Sequence, residues 1–196
     1  GRLFVARESF GRVLQRESRL GGVSDTLVLF GLSREARQWV VDRANTVFES
    51  GMMAYQAGEL ESALSLLEQS IGLNPDRVEP YAMRGLILAD LGKLNLAEGA
   101  VQDALLTDPG YVSGYTILGS IYQERGELEL AMQTYQQGWV LDSEAVGLEF
   151  YMGQVYLMQG QRDSARAVLQ RVVKREPGNG QARALLEQVE EKQGLQ

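Results

Sequence analysis

The 196-residue sequence predicts an all-α fold, a right-handed superhelical solenoid of antiparallel helix pairs. Three observations carry that expectation. Shifting the chain against itself by 34 residues aligns Gly51, Gly85, Gly119 and Gly153, and also Gly58, Gly92, Gly126 and Gly160. Ala63, Ala97, Ala131 and Ala165 keep the same register, so twelve small residues align without an insertion or a deletion. Pro75, Pro109 and Pro177 mark the ends of three of the four units. Glycine inside a helix costs about 1 kcal/mol against alanine. Glycines that recur at one period therefore answer to a structural need, and self-similarity of this length marks a repeat array.

Each unit reads as helix, turn, helix. The first glycine lies within the first helix, where a missing side chain lets the second helix approach. The aligned alanine is the small residue of that second helix. The second glycine ends the first helix in a left-handed conformation without a Cβ clash. Proline then stops the second helix, because it cannot continue the hydrogen-bond ladder. In the third unit Ser143 replaces the proline, so that junction is expected to be less sharply specified.

Taken in chain order, residues 1–32 form a basic N-terminal segment, 33–179 the repeat array, and 180–196 a capping helix and tail. Residues 4–20, "FVARESFGRVLQRESRL", suit an amphipathic helix with Phe10, Val13 and Leu14 on one side and Arg12, Arg16 and Arg19 in a basic stripe. "LGGVSDTLVLFGLS" then interrupts it. Three readings of this segment stay open. It covers the Trp39 end of the array, it lies beside a membrane whose anchor stands upstream of Gly1, or residues 1–30 dock in the groove of the same or a neighbouring molecule. The helix that opens the first unit is expected to begin near Ser33 as N-cap, with Trp39 and Val40 extending its apolar face. The four units run over 44–77, 78–111, 112–145 and 146–179. In the last helix Leu185, Leu186 and Val189 cover the array while Arg183, Glu187, Glu190 and Glu191 face water.

Within the third unit "YTILGSIY" places Tyr115, Leu118, Gly119 and Tyr122 in the pattern W-x2-L-G-x2-Y, with tyrosine for the tryptophan. Tyr135 stands for the later phenylalanine, which Leu67, Val101 and Leu169 replace elsewhere; Ala54 and Leu88 replace Tyr122 in the first two units. The chain thus resembles the tetratricopeptide repeat (TPR) family over about residues 44–179. That resemblance implies a non-enzymatic scaffold, adaptor or assembly factor for another protein or peptide. The alternative it implies is a dedicated chaperone for a secreted or membrane-complex subunit, similar to the chaperones of type III secretion translocators, which usually carry three repeats rather than four.

The groove of such an array is expected on the first helices. One stripe holds Phe48, Met52 and Tyr55, then Ala82, Leu86 and Ala89, then Thr116, Ser120 and Gln123, then Phe150, Gln154 and Leu157. A flanking stripe adds Glu49, Met83, Ile117 and Tyr151, with Gln56, Asp90, Glu124 and Met158. The peptide-binding residues read from these stripes are Phe48, Met52, Tyr55, Met83, Leu86, Ile117, Phe150, Tyr151, Leu157 and Met158. Neither stripe carries a lysine or arginine. Co-chaperone members of the family clamp acidic tails with such residues, but the corresponding places here are Phe48, Met52, Met83, Ser113 and Ile117, or one unit on, Ala82, Leu86, Ile117, Gly147 and Tyr151. The expected partner is therefore apolar and basic at its edges.

Composition narrows the chemistry. The sequence has no histidine and no cysteine, which removes His- and Cys-dependent nucleophilic sites, the usual zinc ligands and disulfides. No calcium-loop pattern or phosphate-binding glycine loop occurs, so no catalytic centre, cofactor or structural metal is expected. Residues 1–43 hold eight arginines and five acids, whereas 44–196 hold eleven basic and twenty-one acidic residues, giving the net charge of −7. An acidic body disfavours nucleic acid as a partner. Apolar runs such as "TLVLF" fall short of the ~20 residues of a membrane-spanning helix. The compartment stays unknown from sequence.

Overall fold

The computed structural model describes residues 34–191, and the expectations for the N-terminal segment and its self-docking lie outside them, as does Ser33. Among the described residues there are nine helices and no strand. They are α1 (Arg34–Gln56), α2 (Leu60–Leu73), α3 (Glu79–Asp90), α4 (Leu94–Thr107), α5 (Val112–Glu124), α6 (Leu128–Leu141), α7 (Val146–Met158), α8 (Arg162–Arg175) and α9 (Gly180–Glu191). The chain divides into two units, Gly1–Pro80 and Tyr81–Gln196. The described part of the first is essentially the α1–α2 pair. The second holds the three following pairs and α9.

Turns of three residues fold each first helix back on its second. At Gly126 φ is +76°, a left-handed conformation that a side chain disfavours. The Gly126 N–H bonds the Gln123 carbonyl at 3.0 Å and the Glu127 N–H bonds Tyr122 at 2.9 Å, the Schellman closure that satisfies carbonyls at a helix end. Gly58, Gly92 and Gly160 repeat both the positive φ and the bonds.

The other glycine of each pair works by contact. A Cβ at Gly119 would strike the ring of Tyr135, lying 2.6 Å from Cδ1 and 2.8 Å from Cζ, with Cε1 closer still. At Gly85 it would collide with Val101 Cγ2 and lie 3.1 Å from the Ala97 carbonyl oxygen. Gly51 and Gly153 are less tight, at 3.3 Å from Leu66 and 3.0 Å from Leu169. The aligned alanines 63, 97, 131 and 165 are wholly buried on the opposing helices.

In the first unit Ala44, Val47, Ala63 and Leu67 form the buried seam, and the buried Ser70 hydroxyl donates to the Ala44 carbonyl at 2.9 Å. In the second unit one cluster joins Ala97, Val101, Leu118 and Ile121. A second joins Ala131, Met132, Tyr135, Leu148 and Val155. A third joins Phe150, Leu169, Val172, Ala182 and Val189, with Leu185 and Leu186 packed against it, so α9 does cover the last pair. Asn179 caps α9, its Oδ1 accepting the Ala182 N–H at 3.0 Å.

The junction without proline is specified after all. Asp142 before Ser143 has φ −141° and ψ 94°, matching Asp108 before Pro109 at −139° and 99°. Arg175 secures it from α8. It donates to the Glu144 carbonyl at 3.0 Å and carboxylate at 2.6 Å, and to the Ser143 carbonyl at 3.4 Å. It also pairs at 3.0 Å with Glu149, which is 4% exposed and takes a second pair from Arg171 at 3.1 Å. A carboxylate this deep is tolerable only when both oxygens are met.

A second clamp joins α4 to α5. Arg125 reaches Glu98 at 2.6 Å, the Leu94 carbonyl at 3.0 Å and Asn95 at 2.9 Å, while the Tyr122 hydroxyl donates to Glu98 at 2.9 Å. Burial pushes the Glu98 carboxyl up, but the bonds from Arg125 and Tyr122 outweigh it and hold the group below its ordinary range.

Two outcomes follow from this packing. Gly119→Ala is expected to cost about 1–3 kcal/mol, because the buried Tyr135 ring has no room to retreat. Gly126→Ala, with open space around it, costs about 1–2 kcal/mol from backbone strain alone. Urea unfolding of each single variant measures both. The Tyr135 hydroxyl is raised from its ordinary 10.0 to about 12, chiefly by burial. A phenol with a raised folded value contributes stability in full below pH 10 and loses it as pH rises towards 12. Tyr135→Phe should therefore flatten the alkaline loss of stability across that window, read as urea midpoints at pH 8 and at pH 11; an unchanged difference between the two would contradict it.

Candidate functional site

The predicted groove residues separate by burial, and each unit is described by itself. In the first, Phe48 is buried rather than open, at 9% exposure. The Arg77 guanidinium stacks over its ring, 4.0 Å from the centroid, while donating to Asn45 at 2.6 Å and Glu79 at 3.2 Å. The absence of basic residues from the stripes thus does not keep cations off this surface, and Glu79 is already paired. Met52 and Tyr55 are half-buried, and the neighbouring Met53, outside both predicted stripes, is 63% exposed.

In the second unit Phe150 is also core rather than groove. It is 8% exposed and packs in the cluster covered by α9, with Leu157 half-buried against the same cluster. Phe150 is one of the expected peptide-binding residues, but at this depth it belongs to the core, and substitution there opens a cavity. Ile117 is half-buried against Ala97, Val101, Leu118 and Ile121. Met83 and Leu86 are half-buried, and Met158 remains largely open.

What the fold does bring together is a polar and aromatic group between α5, α6 and α7. Tyr135 rises from α6 beneath the bare backbone of Gly119, and its hydroxyl lies 3.2 Å from both Ser120 Oγ and Gln123 Oε1. Ser120 donates onward to the Thr116 carbonyl at 3.0 Å. Tyr151 stacks on the Tyr135 ring with centroids 5.5 Å apart and planes at 17°, and meets Phe150 edge-on at 5.6 Å. Glu124 is exposed nearby, and its charge adds to the upward push on Tyr135.

Of the predicted residues, Tyr151 therefore joins Ser120 and Gln123 through Tyr135. Tyr135 itself was absent from the predicted site because it belongs to a second helix. The available signal was its hydroxyl, where the repeat pattern has phenylalanine, opposite two polar residues one turn apart on α5. The corresponding residues of α3 are Leu86 and Ala89. This assembly offers hydrogen-bond donors and acceptors beside an aromatic face. Among the described residues no cluster of acidic side chains fit to hold a metal ion occurs, and no helix is long and apolar enough to cross a membrane.

Tetratricopeptide repeat family models match residues 122–189 and residues 48–112 and 82–140. No curated protein matches the chain in sequence. Among solved structures, a thermophilic TPR protein of Thermus thermophilus is 25% identical, with a TM-score of 0.67 over 77% of this chain and 83% of that one. PilF of Pseudomonas aeruginosa shares 17% identity at a TM-score of 0.72, over 80% and 70% of the two chains. YrrB, described as a TPR protein with an unusual peptide-binding site, shares 18% at 0.58, over 76% of each. These likenesses agree with the helix pairs and their closures in assigning an all-α helical-repeat solenoid fold. The chain belongs to the tetratricopeptide repeat family.

Proposed function

We propose that this chain is a protein-interaction scaffold that takes a mainly apolar peptide segment, basic at its edges, on the first-helix face of its second unit. The family's repeat is an interaction module, and the finer reading rests on one observation: Tyr151, Ser120 and Gln123 are gathered around the Tyr135 hydroxyl. With its oxygen accepting from Tyr135, Gln123 has its amide NH2 unbonded among the described residues, a donor for a peptide carbonyl. The ring of Tyr151 supplies apolar area, and Met158, two helical turns along the same face of α7, supplies a flexible contact suited to varied side chains. Glu124 favours a lysine or arginine flanking the bound segment.

One anchor side chain buried there contributes roughly 1.5–3 kcal/mol. A few anchors give micromolar binding after the cost of association. Peptide arrays of apolar cores flanked by lysine or by glutamate, probed with the full chain, should retain the lysine-flanked set. On the selected peptides Met158→Ala should weaken binding about tenfold without moving the urea midpoint. Gln123→Ala should weaken it similarly while lowering stability by about 1 kcal/mol through the lost acceptor of Tyr135, and Glu124→Lys should abolish the preference for lysine flanks. Phe150→Ala instead should cost about 3–5 kcal/mol of stability. Equal retention by the wild type and both alanine variants would remove the site from this face.

A further inference from the structure

The exposed apolar residues are not scattered. Ten large hydrophobic side chains stand open among the described residues, and six of them lie on α4 and α6. These are Leu96, Leu106, Leu130, Trp139, Val140 and Leu141. Leu96 and Leu130 occupy the same register position one repeat apart, as do Leu106 and Val140, which are 81% and 78% exposed. The same positions on α2 are Ser62 and Gly72, and on α8 Ser164 and Lys174. The apolar character thus belongs to the second helices of the two middle repeats, both within the unit Tyr81–Gln196.

Charge is sparse on these two helices, as on α2 and unlike on α8, and on α4 it is paired. α2 carries Glu61 and Glu68, and α8 carries six charged residues. α4 has two acids, each paired within the unit, Glu98 with Arg125 and Asp103 with Arg84 at 3.0 Å. α6 has Glu129 as its one charged residue, and neither helix has a base.

We infer that the α4–α6 face is where a second copy of this chain docks. Residues 44–196 carry twenty-one acids against eleven bases, so most faces of the molecule repel their own image. In a two-fold dimer each patch meets itself, and any charge on it meets the same charge. A face with apolar ends, glutamines between them, two of its three acids paired with arginines and the third, Glu129, held by the Gln159 amide at 3.5 Å comes nearest to this condition among the second helices. A basic partner would gain nothing from it and would be drawn to the acids elsewhere. Two 14-residue helices, each roughly 21 Å long and 10 Å wide, offer on the order of 400 Å² of footprint. That is about half the ~800 Å² per partner of a standard interface, so the dimer is weak and reversible.

Analytical ultracentrifugation of the full chain from about 1 µM to about 1 mM should show a concentration-dependent monomer–dimer equilibrium that moderate salt does not weaken. Leu106→Glu with Val140→Glu should weaken self-association by at least about 100-fold while leaving circular dichroism and the urea midpoint unchanged. The matching lysine pair, Leu106→Lys with Val140→Lys, should do the same, and mixing the two variants should restore a dimer. Lys174→Glu, at the register-equivalent site of α8, should leave the equilibrium alone. A wild type that stays monomeric throughout, or a dimer that survives both double variants, would overturn the inference.

Discussion

The distance between the two helices of a repeat governs much else in this molecule. At Gly119 and Gly85 the opposing side chains, Tyr135 and Val101, fill the volume that a Cβ would need. Dispersion and apolar burial are strongest at such contact, and a single added methyl cannot be absorbed when its neighbour is already wholly buried. The same approach lets the Tyr135 ring pass under α5, so that its buried hydroxyl ends between Ser120 and Gln123. The polar group on the first-helix face is therefore a consequence of core packing.

Electrostatics secures what packing alone leaves loose. Where proline would rigidify the third junction, Arg175 bonds two backbone carbonyls and two carboxylates. Glu149 and Glu98 sit where an unpaired carboxylate would be costly, and arginines from another helix meet each of them. A chain with a strong acidic surplus thus directs several of its few bases inward, to junctions and helix contacts. On α4 and α6, which carry no base, two of the three acids are met in this way by Arg125 and Arg84.

The first-helix faces are less apolar than their composition suggests. Phe48 lies under a guanidinium and Phe150 lies under the last helix, so neither large aromatic is open to a partner. Tyr55 stays half-buried on α1, and the ring of Tyr151 is held by stacking on Tyr135 rather than being free to swing. On the proposed reading, such a face would combine a fixed ring with adjustable hydrogen bonds, a mixture suited to selecting a peptide by its backbone and its flanks as much as by its apolar anchors.

The 34-residue register determined the helix pairs, their turns and their order, because a glycine needed for a left-handed turn or a close contact admits no common substitute. The amphipathic pattern of the final helix likewise determined which side covers the array, since Leu185, Leu186 and Val189 recur at helical spacing. Register could not decide the depth of each side chain. Phe48 and Tyr151 sit on neighbouring stripes of equivalent helices, yet Arg77 from beyond α2 covers one and Tyr135 from α6 supports the other. The junction at Ser143 reads as weak in sequence because its tie, Arg175, lies 32 residues away. Periodicity reports on neighbours along one helix. Burial, ion pairing and the partners of a buried hydroxyl depend on side chains brought in from other helices, and only the tertiary structure decided those.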